Sequence, residues 1–327
     1  MQNLSYHFLQ LPLAIQQEQL ERFKGVCALY GYEGFFRLFN AHVIVIGNGG
    51  VGSWIAESLT RTGVGAITLI DFDTIELSNS NRQLHTLSST IGQGKSQTLG
   101  ARLLDINPHL KLKVIAQLIN KDNVLATMAQ ALQVSEQTLE IPTVALNKLL
   151  SPQELAKSKF EQCADLTKLS QESIAPNILV AEAIDDLFAK ASIVDLLHRH
   201  QVPLVTSGGA GGRIDPRCVK IADITEAKGD QLIKRLRTEL RRNYGYPKGQ
   251  EGKNKTPDEK FNILCSYSDE KPIRSAERLQ SDVSAQSFGL NNPIALPSFG
   301  ASNTVTATAG LLLASVIIRW IVGTKIS

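Results

Sequence analysis

Residues 42–54 read HVIVIGNGGVGSW, and residues 64–73 read VGAITLIDFD. Val43 to Ile46 is a β-branched run without alternation, the pattern of a strand covered on both faces. The loop Gly47-Asn48-Gly49-Gly50-Val51-Gly52 follows it and opens a helix over 53–62. Gly63 and Gly65 end that helix, and AITLID forms a second strand finishing on Asp71. Together they make a βαβ unit, whose parallel strands demand a right-handed crossover. Glycines in such a loop let backbone amides approach a phosphate, and the helix N-terminus adds partial positive charge. Asp71, 24 residues after Gly47, stands where a doubly wound fold puts a carboxylate on a ribose hydroxyl. A bare strand-to-helix turn would use the glycines but not Asp71. The glycines alone do not choose among NAD, FAD and ATP.

Working outward, the spacing predicts helices over 16–30 and 32–39 before this unit. After it come a helix over 95–106, stopped by Asn107-Pro108, a strand over 112–116 and a helix over 122–132. Strands over 178–184 and 203–207 flank a helix over 187–200. This alternation predicts an α/β fold with a doubly wound, mostly parallel, Rossmann-like sheet. Residues 134–177 break the pattern and read as a helical insertion. The 327 residues are therefore expected to form one domain. Its parts are N-terminal helices (1–40), a nucleotide-binding half (41–133), the insertion (134–177), the second half of the sheet (178–222), and a basic segment with a C-terminal extension (223–327).

Composition narrows the class. Apolar residues are 43% and charged residues 20%, which excludes disordered and collagen-like chains. Four cysteines, Cys27, Cys163, Cys218 and Cys265, include no CxxC pair, so no zinc ribbon is expected and a reducing, cytoplasmic location suits them. The N-terminus carries Glu18 and Glu21 and lacks the basic start of a secretory signal. The apolar run from Val305 to Ile318 is short for a bilayer span of ~20 residues. It reads as a buried helix, with membrane contact the alternative. The net charge of +3 conceals a basic stretch, Lys228 to Lys260, with ten Lys and Arg against five Asp and Glu.

The cations near the glycine loop favour a triphosphate. Arg82 lies in SNSNRQ (78–83), and Lys95 opens a helix after Gly94. A nicotinamide site has no use for these charges, whereas a triphosphate releasing pyrophosphate does. The alternative is two solvated surface charges. Asp185-Asp186 ends a strand at the edge where ligands collect, and could hold Mg²⁺ or cap the next helix. The loop Gly208–Gly212 reads either as a flexible turn or as backbone near a nucleotide.

GNGGVGSW, TLIDFD, SNSNRQ, GKSQ, INP and AID, in this order, resemble the ubiquitin-activating-like adenylating family. RFKGVCALYG, NRQLH, PLVTSGGAGGRIDP and GASNTVTATAG resemble its tRNA threonylcarbamoyladenosine dehydratase branch. The resemblance implies that Gly47, Gly49, Gly50 and Gly52 hold ATP phosphates and that Asp71 binds the ribose. Asn79 and Arg82 would contact the triphosphate, Lys95 would stabilise departing charge, and Asp185 would position Mg²⁺. Arg22 would reach a neighbouring subunit's nucleotide, which implies a homodimer. Glu182 departs from the aspartate common at that position, and Asp186 replaces a usual asparagine.

The implied reaction is ATP-dependent dehydration of N6-threonylcarbamoyladenosine in tRNA beside the anticodon, by carboxylate adenylation and then ring closure. The implied partners are tRNA, contacted by the basic segment through Arg237, Arg241 and Arg242, and a sulfur-relay protein. A monovalent cation on the carbonyls of the Gly208–Gly212 loop is a further implication. Cys265 reads as either a reactive thiol or a buried small hydrophobe. Adenylation of a ubiquitin-like sulfur carrier is the rival activity, although its enzymes commonly carry zinc on CxxC pairs. An NAD-dependent oxidoreductase would leave Arg82 and Lys95 idle, and a non-catalytic adaptor would leave the whole constellation unexplained.

Overall fold

The computed structural model describes residues 8–140, 177–248, 259–275 and 296–323. Cys163, most of the expected insertion, and most of the loop after Lys248 lie outside them. In the founding unit, β1 (His42–Ile46) and β2 (Ala66–Ile70) run parallel, His42 opposite Ala66, and flank α3 (Gly52–Arg61). Val43 and Val45 enter the core on one face of the sheet, and Ile44 and Ile46 enter the core on the other. Both faces are covered, which is why the run does not alternate.

The chain reaches this unit through α1 (Leu13–Arg22) and α2 (Lys24–Asn40). The single helix expected over 16–30 is broken at Phe23, which leaves helical geometry to bury its ring. The kink expected before residue 32 falls on Gly31, at φ 72°. Beyond β2 come α4 (Lys95–Ile106), β3 (Lys111–Ile115), α5 (Val124–Leu132) and α6 (Glu136–Glu140). Then follow β4 (Ile178–Glu182), α7 (Leu187–Arg199), β5 (Leu204–Ser207), β6 (Val219–Asp223), α8 (Gln231–Asn243), β7 (Leu264–Ser268) and α9 (Asn303–Val322).

The described residues form one sheet of seven strands, in the order β3-β2-β1-β4-β5-β7-β6. Among its described pairs only β6–β7 is antiparallel. The strand order reverses between β1 and β4, so a crevice opens above their carboxyl ends. Within residues 223–327, β7 joins this sheet between β5 and β6.

Helix α9 is also integral to the core. It packs on α2, α3 and β5 to β7, burying Val305, Leu313, Ile317, Trp320 and Ile321. A Cβ at Gly310 would stand 2.6 Å from the Val51 carbonyl, so glycine lets α9 lie directly against the phosphate loop. The helix is apolar enough to cross a membrane by length and composition, yet 67% of that stretch is buried against the rest of the protein. Most of its apolar surface is spent on the core, and Leu311 stays exposed.

Candidate active site

The crevice is a cleft of about 1180 Å³. Gly47, Gly49, Gly50, Asp71, Asn79, Arg82, Lys95 and Asp185 all line it. Gly47 sits at φ 82°, and a Cβ there would lie 2.8 Å from the Ala183 carbonyl after β4. Only glycine lets the β1 and β4 loops touch. Gly52 is different, since it opens α3 behind the loop against the Gly47 carbonyl and does not line the cleft wall.

Asp71 Oδ2 accepts the Asn48 N–H at 2.6 Å, and Oδ1 accepts the Asp73 N–H at 2.9 Å. Burial pushes its carboxyl above the ordinary range, and these two amides oppose the shift. Two lone-pair sites remain for ribose hydroxyls. Asn48 is itself locked, since Ser96 donates to its side-chain oxygen at 2.9 Å.

The cations converge from two elements. Lys95, the first residue of α4, is buried and points its ammonium at Asp73 Oδ2, 2.7 Å away. Arg82 follows a 3₁₀ turn held by Asn79, whose side-chain oxygen accepts the Glu76 N–H at 3.1 Å. Arg82 Nη1 donates to the Ser78 carbonyl and Asn81 Oδ1 and has no carboxylate partner among the described residues. Its charge is therefore uncompensated at the mouth of the cleft.

The two aspartates after β4 separate by role. Asp186 caps α7, accepting the Ala189 N–H at 2.7 Å. Asp185 is exposed in the cleft and has no hydrogen-bond or ion-pair partner among the described residues. No cluster of three or more metal-ligating side chains exists among those residues. One free carboxylate still fits Mg²⁺, which is held by one or two carboxylates together with substrate phosphates.

The Gly208–Gly212 loop is pinned rather than flexible. Gly208 N–H donates to the Ser266 carbonyl at 2.7 Å, and Gly209 N–H donates to Asp230 Oδ2 at 3.0 Å. Asp230 also caps α8 through Leu232 and Ile233. Arg213 donates to the Gly209 carbonyl, so a guanidinium engages that acceptor of the loop.

Arg22 lies outside this cleft, donating to the Ile106 carbonyl at 2.8 Å and to Glu18 at 2.7 Å. Arg237 donates to the carbonyls of Ile224 and Ala227, and Arg241 donates to the Pro247 carbonyl while covering the Phe261 ring. Both are internal staples, and the exposed cations of α8 are Lys234, Arg235 and Arg242. Cys265 is fully buried in β7, and burial raises its thiol well above the usual range, with Asp230 and Asp223 adding to the effect. It is a core residue, not a nucleophile.

A buried ion pair went unseen in the sequence. Glu182 and Lys190 are both fully buried and 2.5 Å apart, bonded to the backbone of Ile184 and Ser207, which line the cleft. Glu182 had shown itself only as a departure from an expected aspartate.

Comparison with known proteins gives a consistent picture. A model described as the ThiF family matches residues 24–144. The chain is similar to the tRNA threonylcarbamoyladenosine dehydratase of Escherichia coli (strain K12), with 31% identity covering 93% of this chain and 95% of that protein. The enzyme of that name from Bacillus subtilis (strain 168) is 31% identical, over 86% and 87%. The crystal structure of the E. coli enzyme in complex with ATP superposes with a TM-score of 0.66 at 29% identity, covering 92% of this chain and 94% of that one.

Proposed function

The chain belongs to the tRNA threonylcarbamoyladenosine dehydratases of the ThiF family, and from that premise we infer that it catalyses the ATP-dependent dehydration of N6-threonylcarbamoyladenosine in tRNA. One observation carries the reading to chemistry: a single cleft brings together the glycine loop, Asp71, two cations and a free carboxylate.

A free carboxylate is a poor electrophile because its leaving group would be oxide. Its oxygen therefore attacks the α-phosphorus of ATP, forming a carboxyl–phosphate bond while the bond to pyrophosphate breaks. The backbone amides after β1 and the α3 N-terminus would cradle the phosphates. Asp71 would fix the ribose, and Asn79 holds the turn that aims Arg82. Arg82 and Lys95 would neutralise the charge that grows on departing pyrophosphate. Asp185 would hold Mg²⁺, which supplies further neutralisation of the phosphates. The carbamoyl group on the same side chain then attacks the activated carbonyl, a ring closes, and AMP leaves. Closure is intramolecular, so proximity supplies much of the rate and no enzyme thioester is needed. A buried, protonated Cys265 agrees with that, and a sulfur-relay partner would have to act without it. Arg22 would serve only in a cytoplasmic homodimer, at a neighbouring subunit's nucleotide.

The test is direct. The protein is incubated with threonylcarbamoyl-modified tRNA, ATP and Mg²⁺, and the nucleoside is weighed. Loss of one water that requires ATP is expected, and no mass change would overturn the reading. Adenylation of an added sulfur-carrier protein instead, read by pyrophosphate exchange, would support the rival activity.

The exposed face of α8 would carry the tRNA backbone, since its first turn reaches the cleft through Leu232. Replacing Lys234, Arg235 and Arg242 with Gln should weaken tRNA binding. It should also flatten the slope of log K against log salt by about 2–3, with ATP binding unchanged. An unchanged slope would remove α8 from the interface. Replacing Arg237 and Arg241 should lower thermal stability instead, because Arg237 bridges backbone carbonyls and Arg241 ties the Pro247 carbonyl to the Phe261 ring.

A further inference from the structure

The cleft is larger than its nucleotide half requires. Its volume of about 1180 Å³ exceeds the roughly 300–1,000 Å³ of a pocket that holds one small ligand. The glycine loop, Asp71, Arg82 and Lys95 occupy one half. The other half is walled by Gly208 to Gly211, Leu232 and the segment from Leu296 to Ala301. Asp185, after the central strand β4, stands on the wall the halves share.

That second wall leaves large apolar side chains in solvent. Phe299 is 40% exposed and Leu296 is 59% exposed. Phe299 is nevertheless firmly seated. Gly212 N–H donates to the Gly300 carbonyl and Ile273 N–H donates to the Gly212 carbonyl, each at 2.7 Å. A Cβ at Gly212 would stand 2.8 Å from the ring, so the glycines of this loop make room for it. The Arg274 guanidinium lies 6.0 Å from the ring centroid and has no carboxylate partner among the described residues. A fixed aromatic ring beside a guanidinium is the surface on which proteins stack unpaired RNA bases.

We propose that Phe299, flanked by Arg274, is the stacking platform for the adenine that carries the reacting side chain, presented by a single-stranded tRNA loop. The proposal rests on the dehydratase reading above and names its substrate-recognition residue. It assigns the acceptor half of the cleft to the base. The carboxylate then reaches back past Asp185 toward the α-phosphate. Arg274 stands beside Phe299, and the first turn of α8 reaches the same cleft through Leu232. Phe299 packs on Gly211 and Gly212, on the β5 side of the cleft, so it acts on RNA capture and not on ATP.

The experiment uses the full-length protein and an anticodon stem-loop bearing the modified adenosine. Phe299→Ala should raise KM for the RNA about 5- to 150-fold, the equivalent of one lost stacking contact of ~1–3 kcal/mol. ATP affinity by calorimetry should stay close to wild type. Phe299→Trp should keep a near-normal KM, and Phe299→Leu should not, because Leu fills space without a π face. An unchanged KM in Phe299→Ala, or full function in Phe299→Leu, would overturn the platform. RNA binding without ATP is measured in parallel. Wild-type protein that binds the loop through Phe299 yet removes no water would sink the dehydratase reading alone. Dehydration that ignores Phe299 would sink this proposal alone.

Discussion

Lys95→Met is expected to slow adenylate formation by about 10²–10³-fold, with ATP affinity kept within a few-fold of wild type. The asymmetry follows from where the charge develops. The glycine loop amides and Asp71 already hold the ground-state nucleotide. Lys95 contributes most when negative charge accumulates on departing pyrophosphate. Its ammonium is fixed for that role: the side chain is buried at the start of α4, and Asp73 steers it from 2.7 Å. Methionine keeps the apolar stem and removes the charge. Asp73 is 44% exposed at its side chain, so it can return to water, and the melting temperature should hardly move. Lys95→Arg should recover only part of the rate, because a planar fork does not occupy the place of a point charge. ATP–pyrophosphate exchange and nucleotide titration read the two effects separately. A fall in affinity as large as the fall in rate would make Lys95 a ground-state binder.

How much of this was readable beforehand depended on whether a residue's role shows in its neighbours along the chain. The β1–loop–α3–β2 unit was legible because burial on both faces leaves an unbroken apolar run and glycines mark its turns. The helix from Lys95 to Ile106 matched residue for residue, since Gly94 opens it and Asn107-Pro108 closes it. Strands β6 and β7 were not legible. VKIAD keeps Lys220 exposed, and LCSYS buries Ser266 and Ser268 through pairing on both edges, so neither shows an apolar pattern. Charge counting treated Arg237, Arg241 and Arg242 as equals. Only the fold shows that the first two face carbonyls and an aromatic ring. Phe299 was passed over because one aromatic in a short loop carries no period. Its meaning comes from glycines more than eighty residues earlier.

The largest effect on stability should come from the pair that sequence reading missed. Lys190 donates to Glu182 at 2.5 Å, to Thr206 Oγ1 at 3.1 Å and to the Ser207 carbonyl at 3.0 Å, so all three ammonium protons are used. Glu182 in turn accepts the Ile184 N–H at 2.8 Å and the Thr206 hydroxyl at 2.5 Å. Neither side chain reaches solvent. Lys190→Met would strand a carboxylate in the core and should cost about 3–5 kcal/mol, a large share of the ~5–15 kcal/mol that holds a domain together. Glu182→Gln should cost a comparable amount by stranding the ammonium. The double variant Glu182→Gln/Lys190→Met removes both charges and should recover most of the loss, because desolvation offsets much of what a buried pair gains. Chemical denaturation across the four proteins gives the coupling energy. Additive single losses would show that the two groups do not act as a pair. Turnover should not return with stability. The network holds Ile184 N–H and the Ser207 carbonyl, the backbone from which the Asp185 and Gly208 loops enter the cleft. The neutral pair fills the space but lacks the ammonium that holds the Ser207 carbonyl.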